Sequence, residues 1–488
     1  MSTHNPKEHP DSNLKASDTV PLAQGEETSN VQADLNPVTD YIAQVCAQVR
    51  WKRSHEVIAR ELAAHMEDFQ TARLAQGVEE AQAAAQAIAE MGDPVTVGAQ
   101  FDRTYRPRTN WKLVTLTVIM VLLGFAMRML IRVQFPHNPE SISNAQLLAS
   151  QQVKDVFAVL LGAGALLLGL YTDFSLIGKH PRSAYFSLCA VALAVYLFTQ
   201  PIMGSYTSLQ YLVMLFPPLY AGIIFSMRGR GAAGVLLCGL YFLFPALAAV
   251  YSRFYSLFSL GVTCLILLTA AVCSGWFGSS KRAALLLIYL PVAAVFAVFL
   301  YKAQHRLYAM LHPRMDPQGY GYVAVQTQEI LSKAKLIGQG GVTAGSEYFF
   351  RGLIDDFTVT YLIHRTGWIS LLVILALFAG FFFIAVRVCL RQSSQLGRLV
   401  SLSVVVSLLL QTIFYLINNL GVTFLLSPGL PLLSFGNQTL VVNLLLIGLL
   451  LSVFRTGELC SNGSPLPENS KRFVEFTNGD LIFHFNNK

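Results

Sequence analysis

Apolar positions are spread very unevenly along this chain. The first 36 residues are rich in Ser, Asn, Asp, Glu and Pro with almost no aromatics, a composition that cannot bury enough surface to order itself, and 1–36 is read as a disordered tail. From 37 to 105 apolar residues recur at helical spacing. Val57, Ile58, Leu62, Ala63, Met66 and Phe69 line one face of a helix near Ser54 to Leu74. Gly77 stops it, a further helix runs from Glu79 to Met91, and Gly92-Asp93-Pro94 ends that one. With a helix near Val38 to Arg50 before them and one reaching Tyr105 after, 37–105 is predicted to be a small soluble helical domain. Beyond Trp111 the pattern turns continuously apolar. Runs at roughly 111–133, 155–172, 183–200, 208–227, 231–250, 256–278, 282–301, 368–389, 397–420 and 438–455 each approach the ~20 residues that span about 30 Å of hydrocarbon. In lipid their backbone groups must bond internally, which makes them helices. The predicted class is all-α: a polytopic membrane protein with about ten transmembrane helices over 111–455, behind the soluble domain and ahead of a polar tail at 456–488.

Composition agrees with this reading. Hydrophobic residues are 53% of the chain and charged residues 13%, about half the charge of a soluble protein. The net charge of +7 sits mostly in short loops between apolar runs, so it speaks for membrane orientation rather than for nucleic acid. The first 35 residues contain no apolar core of a secretory signal, which places the N-terminus in the cytoplasm. The loops expected inside then hold Lys179 and Arg182, Arg228 and Arg230, Lys281 and Arg282, and Arg391 and Arg398. The outer loop 201–207 holds no basic residue and 251–255 only Arg253. An even number of crossings returns the tail, with Lys471 and Arg472, to the cytoplasm and puts the long loop 302–367 outside. The seven cysteines form no CxxC pair and lie mostly in apolar runs, which argues against disulfides and zinc.

The long loop carries the candidate chemistry. Asp316-Pro317-Gln318-Gly319 has the residue types of a tight turn. Asp355-Asp356 opens the run into the next helix, where Asp fits an N-cap as well as a catalytic carboxylate. Arg128 and Arg132 lie one turn apart near the outer end of the first apolar run. An Arg there either serves a site or reaches to the lipid headgroups. Asn418 and Asn419, inside an apolar helix, fit inter-helix hydrogen bonding. Pro217-Pro218, Pro245 and Pro291 are expected to kink their helices.

Two blocks of residues resemble a known family. In the loop these are Arg306, Pro313, Asp316-Pro317, Gly319, Gly321-Tyr322, Gly338-Gln339-Gly340, Asp356-Phe357 and Gly367. The second block is Asn419-Leu420-Gly421-Val422, Gly429-Leu430-Pro431, Ser434-Phe435-Gly436, Asn443 and the ending Gly448-Leu449-Leu450-Leu451-Ser452. Together they resemble the SEDS family, the FtsW/RodA/SpoVE-type glycosyltransferases of the bacterial cell wall. Departures are Ile354-Asp355 where the family has His-Thr, His364-Arg365 near its Glu-Glu, Val323 for Gln, and Asn437-Gln438-Thr439 near its Gly-Ser-Ser. The segment around Glu61-Leu62, His65, Glu67, Gly77 and Met91-Gly92-Asp93-Pro94 resembles the prefix domain ahead of some bacterial permeases, which implies a docking or regulatory module.

The resemblance implies a peptidoglycan glycosyltransferase that polymerises lipid II at the outer face of the bacterial cytoplasmic membrane, beside a class B penicillin-binding transpeptidase and among membrane lipids. It serves division, elongation or sporulation. The other reading is a non-catalytic flippase, scaffold or regulator. Under the first, Asp356 is the catalytic base, and Arg306, Arg132, Arg128, Asp316, Gln339, Ser434 and Asn419 bind substrate. No organic cofactor is implied, and a divalent cation is the one such group left open.

Overall fold

The computed structural model describes residues 37–107, 109–134, 143–201, 204–278, 280–341, 356–423, 428–434, 436–456, 474–477 and 480–483. The chain divides into two compact units, one from the residues up to Arg50 with Ile58–Asp102, the other from Trp51–Val57 with Arg103 onward.

The first unit is built on α1 (Pro37–Gln48), α2 (His55–Leu74), α3 (Glu80–Met91) and α4 (Pro94–Thr104). Ile58, Leu62 and Met66 of α2 are buried, as are Ala83 and Ala87 of α3 and Tyr41 and Val45 of α1. The Tyr41 hydroxyl donates to the Gly92 carbonyl (3.1 Å), and the Arg50 N–H to Asp102 Oδ1 (2.9 Å), which closes the bundle at two edges. A Cβ at Gly98 would stand 2.5 Å from Gln48 Cβ, so α4 lies directly on α1.

The second unit holds ten spans long and apolar enough to cross a membrane, among the described residues. In chain order its helices are α5 (Trp111–Gln134), α6 (Ser143–Tyr171), the short α7 (Ser175–Lys179), α8 (Pro181–Phe198), α9 (Thr207–Val213), α10 (Phe216–Ser226), α11 (Gly231–Tyr251), α12 (Phe254–Cys273) and α13 (Lys281–Leu311). After them come α14 (Tyr322–Ser332), α15 (Thr358–Thr366), α16 (Ile369–Arg391), α17 (Gln395–Asn419) and α18 (Asn437–Thr456). A hairpin of β1 (Val474–Thr477) and β2 (Asp480–Phe483) lies in the segment read from sequence as a tail. The spans begin and end within a few residues of the apolar runs. Three helices depart from them. The second span's helix, α6, begins at Ser143, ahead of the expected run 155–172. The fourth is two helices, α9 and α10, separated at Met214-Leu215. The seventh, α13, continues to Leu311, so the first ten residues of the expected loop 302–367 are helix. Pro245 and Pro291 sit inside α11 and α13 without ending them.

The bundle is held by close helix contacts rather than by sequestration from water, because lipid is as apolar as the core. α6 and α18 meet backbone to backbone: a Cβ at Gly448 would lie 2.3 Å from the Leu166 carbonyl oxygen, and one at Gly169 2.6 Å from that of Leu445. The Ser452 hydroxyl donates to the Thr172 carbonyl (2.6 Å) at one end of this pair. Gly448→Leu is therefore expected to force the two helices apart and cost about 1–3 kcal/mol, read as a lower Tm of the purified protein in detergent. An unchanged Tm would mean that the pair does not carry stability.

Candidate functional site

The chain from Asp356 to Thr366 is positioned by α17. α15 starts at Thr358 with Phe357 as its N-cap residue, so its first N–H groups need outside acceptors. They come from the last turn of α17. The Thr358 N–H donates to the Tyr415 hydroxyl (3.3 Å), and the Thr360 N–H to Asn419 Oδ1 (3.0 Å). The Thr360 hydroxyl donates to the Asn419 carbonyl (2.8 Å). Asn419 Nδ2 donates back to the Asp356 carbonyl (3.1 Å) and to the Tyr415 carbonyl (3.0 Å). The Asn419 amide is thus spent on holding 356–360, which makes it a positioning group.

This arrangement bears on Asp356. As a residue type it fits an N-cap, but it stands one residue outside the cap position, and Tyr415 and Asn419 do the capping. Its carboxylate is not consumed in closing α15. The residue is half-buried. Burial pushes the carboxyl above the ordinary carboxylate range, and the charge of Arg253 pulls it back down. Arg253 sits in the turn between α11 and α12, as the residue before Phe254. The first turn of α12 packs on α17 beside Tyr415, with the Tyr255 and Phe414 rings 6.0 Å apart.

A third wall comes from α5. Ile131 packs in a buried cluster with Ile330, Phe357 and Tyr361, and Met127 lies against it. The C-terminal end of α5 therefore stands beside the residue that follows Asp356. Arg128 is 0% exposed and its Nε donates to the Gly124 carbonyl (3.3 Å). It does not reach out to headgroups but is enclosed by the bundle, and an enclosed guanidinium is costly unless it serves a site or a partner. The side chains of Arg132 and Arg306 lie outside the described residues, as do Arg351 and Asp355.

The remaining candidates are tied into local structure. Asp316 Oδ2 accepts from the Tyr320 N–H (2.9 Å), and its carbonyl from the N–H groups of Gly319 and Gly321, so this carboxylate closes its own turn. Gln339 is exposed on a segment clasped to the end of α15: the Gly338 N–H donates to the Thr366 carbonyl (3.0 Å) and the Gly340 N–H to that of His364 (2.7 Å). The Ser434 hydroxyl accepts from the Leu430 N–H (2.6 Å) inside a buried turn. None of these three is brought to Asp356 by a described hydrogen bond. The residues that sequence reasoning missed are Arg253 and Tyr415. Arg253 had one signal, as the lone basic residue of a short outer loop; Tyr415 had none.

Comparison with known proteins bears on the same region. Residues 233–458, from α11 through α18, match the FtsW/RodA/SpoVE family, described as cell cycle protein. A probable peptidoglycan glycosyltransferase FtsW of Geobacter metallireducens is 30% identical over 155 residues, 31% of this chain and 40% of the relative. One from Trichlorobacter lovleyi is 25% identical over 181 residues, 36% of this chain and 45% of the relative. The chain thus matches less than half the length of these two curated relatives. A solved structure described as "Structural coordination of polymerization and crosslinking by a peptidoglycan synthase complex" superposes with TM-score 0.54 at 20% identity, over 71% of this chain and 98% of that one, and shares its fold. Asp356, Asn419, Tyr415 and Arg253 all fall inside the matched residues.

Proposed function

We propose, from a chain whose residues 233–458 match the FtsW/RodA/SpoVE family, that this multi-pass membrane protein is a member of that family and a peptidoglycan glycosyltransferase which extends glycan strands from lipid II. The observation that carries the reading is Asp356, a half-buried carboxylate with raised proton affinity, left uncommitted at the mouth of a helix that other residues cap. In the reaction the carboxylate takes the proton of the acceptor sugar's 4-hydroxyl as that oxygen attacks the anomeric carbon of the donor. The bond from that carbon to the lipid diphosphate breaks, and the diphosphate leaves with the bond's electron pair. Cations near the outer end of α5 and α13, Arg128, Arg132 and Arg306, neutralise the charge it carries away. The loops rich in Lys and Arg face the cytoplasm, both termini lie there, and the 302–367 loop meets lipid II outside. A class B penicillin-binding transpeptidase is the partner that cross-links the product, and residues 37–105 form a docking or regulatory module.

The test is incubation of the purified protein with lipid II, with glycan strands resolved by electrophoresis as the expected product. Absence of strands with the transpeptidase also present would move the chain to the scaffold, regulator or flippase reading, which the departures at His364-Arg365 and Gly436-Asn437-Gln438-Thr439 favour. The pH profile supplies a second readout. A base works deprotonated, so the rate should fall as pH drops through the raised pKa of Asp356. Arg253→Gln removes the charge that lowers this pKa, and the acid limb should shift to higher pH. A shift to lower pH, or none, would dissociate Arg253 from the base.

A further inference from the structure

The fourth span is interrupted within the membrane, and the interruption faces a cavity. α9 ends at Val213 and α10 starts at Phe216. In a continuous helix the carbonyls of Val213 and Met214 would accept from the residues four positions on, but these are Pro217 and Pro218, which have no N–H. Two carbonyl oxygens therefore lose their helical donors at membrane depth, a situation tolerated only where the backbone lines a cavity or is buried in protein. Val213, Met214 and Pro217 do line a cavity, closed on the other side by Ser256 and Ser259 of α12 and Ser407 of α17. It has room for about one water-sized occupant.

An independent observation points into the same space. Ser256 is 3% exposed, and its hydroxyl has no hydrogen-bond partner. Ser407 shares its hydroxyl with Thr263 (3.5 Å), which still leaves oxygen lone pairs. Among the described residues, no charged side chain lines the cavity. The donor set is thus carbonyl and hydroxyl oxygen, acceptor-rich and uncharged. Divalent ions call for carboxylates, and transition metals for imidazole or thiolate. Unwound carbonyls of an interrupted span, joined by serine hydroxyls, suit a small monovalent cation. Arg253, the residue just ahead of α12, is offset by the carboxylate of Asp356.

We propose that this cavity is a binding site for a single sodium ion, held by the carbonyl oxygens of Val213 and Met214 and the hydroxyls of Ser256, Ser259 and Ser407. The ion ties both halves of the broken fourth span to α12 and α17, directly beneath the turn that carries Arg253. The site does not depend on the glycosyltransferase reading and is tested without it. The purified full-length protein in detergent is melted in sodium, potassium and choline chloride at equal ionic strength, and binding of radiolabelled sodium is measured on the same preparation. Sodium should raise Tm over choline in a saturable way, with potassium well behind. Ser256→Ala should weaken sodium binding by about tenfold or more and remove the sodium-specific rise, with Tm in choline near that of wild type. Should that variant fail to fold, Ser407→Ala carries the same expectation. Equal melting in the three salts with no bound sodium would mean that the cavity holds ordered water only, and undiminished sodium binding in a folded variant would place the ion elsewhere. Either result overturns the proposal.

Discussion

Asp356→Asn is expected to reduce glycan polymerisation by about 10²- to 10⁴-fold, the range that a positioned general base contributes, with little change in Tm. The substitution keeps the side chain's size and removes only its ability to take a proton. The fold around it should persist because the segment is held through its backbone: the Asp356 carbonyl accepts from Asn419, and the next helix is capped by Tyr415 and Asn419. Burial also favours a neutral side chain here, since it already pushes the carboxyl's proton affinity up. The measurement is strand formation from lipid II beside a thermal melt of the same preparation. A folded variant with wild-type rate would remove Asp356 from the chemistry, whereas loss of both rate and Tm would make the residue structural.

Asn419→Leu is expected to destabilise the protein by about 2–4 kcal/mol and to cut activity by about 100-fold. Its amide satisfies the Thr360 N–H, the Asp356 carbonyl and the Tyr415 carbonyl in a region sealed from solvent, where Asn419 and Thr360 are both 0% exposed. Leucine keeps the branched shape, with somewhat more bulk, but leaves these groups unpartnered, and an unsatisfied buried donor or acceptor costs about 1–3 kcal/mol. The kinetic loss follows from geometry, because a shift of roughly 1 Å in a catalytic group costs about 10² in rate. Chemical denaturation and the polymerisation assay read the two effects separately. Full activity with lowered stability would confine Asn419 to the fold, and a loss of activity restored by Asn419→Gln would identify the amide's bonds as the cause.

What the sequence determined by itself was the set of membrane crossings. A run of about 20 apolar residues specifies a spanning helix locally, because desolvation and internal backbone bonding act along the segment alone. The same locality made α2 readable from Ile58, Leu62 and Met66, and the Asp316 turn from its residue types. Pro217-Pro218 announced a disturbance in the fourth span, read as a kink; that it is a break facing a cavity came from α12 and α17, which supply its other wall. Asp356 could be singled out through its resemblance to a family, but its residue type fitted an N-cap equally well. Tertiary structure removed the capping role by bringing Tyr415 and Asn419, about 60 residues away, to do the capping. It also set Arg253 against Asp356 and enclosed Arg128, which sequence alone left free to extend to the headgroups. These are contacts between helices, and lipid supplies no strong periodic signal for which face of an apolar helix meets protein. Small residues and single hydrogen bonds choose the partner faces, and only the assembled bundle shows the choice.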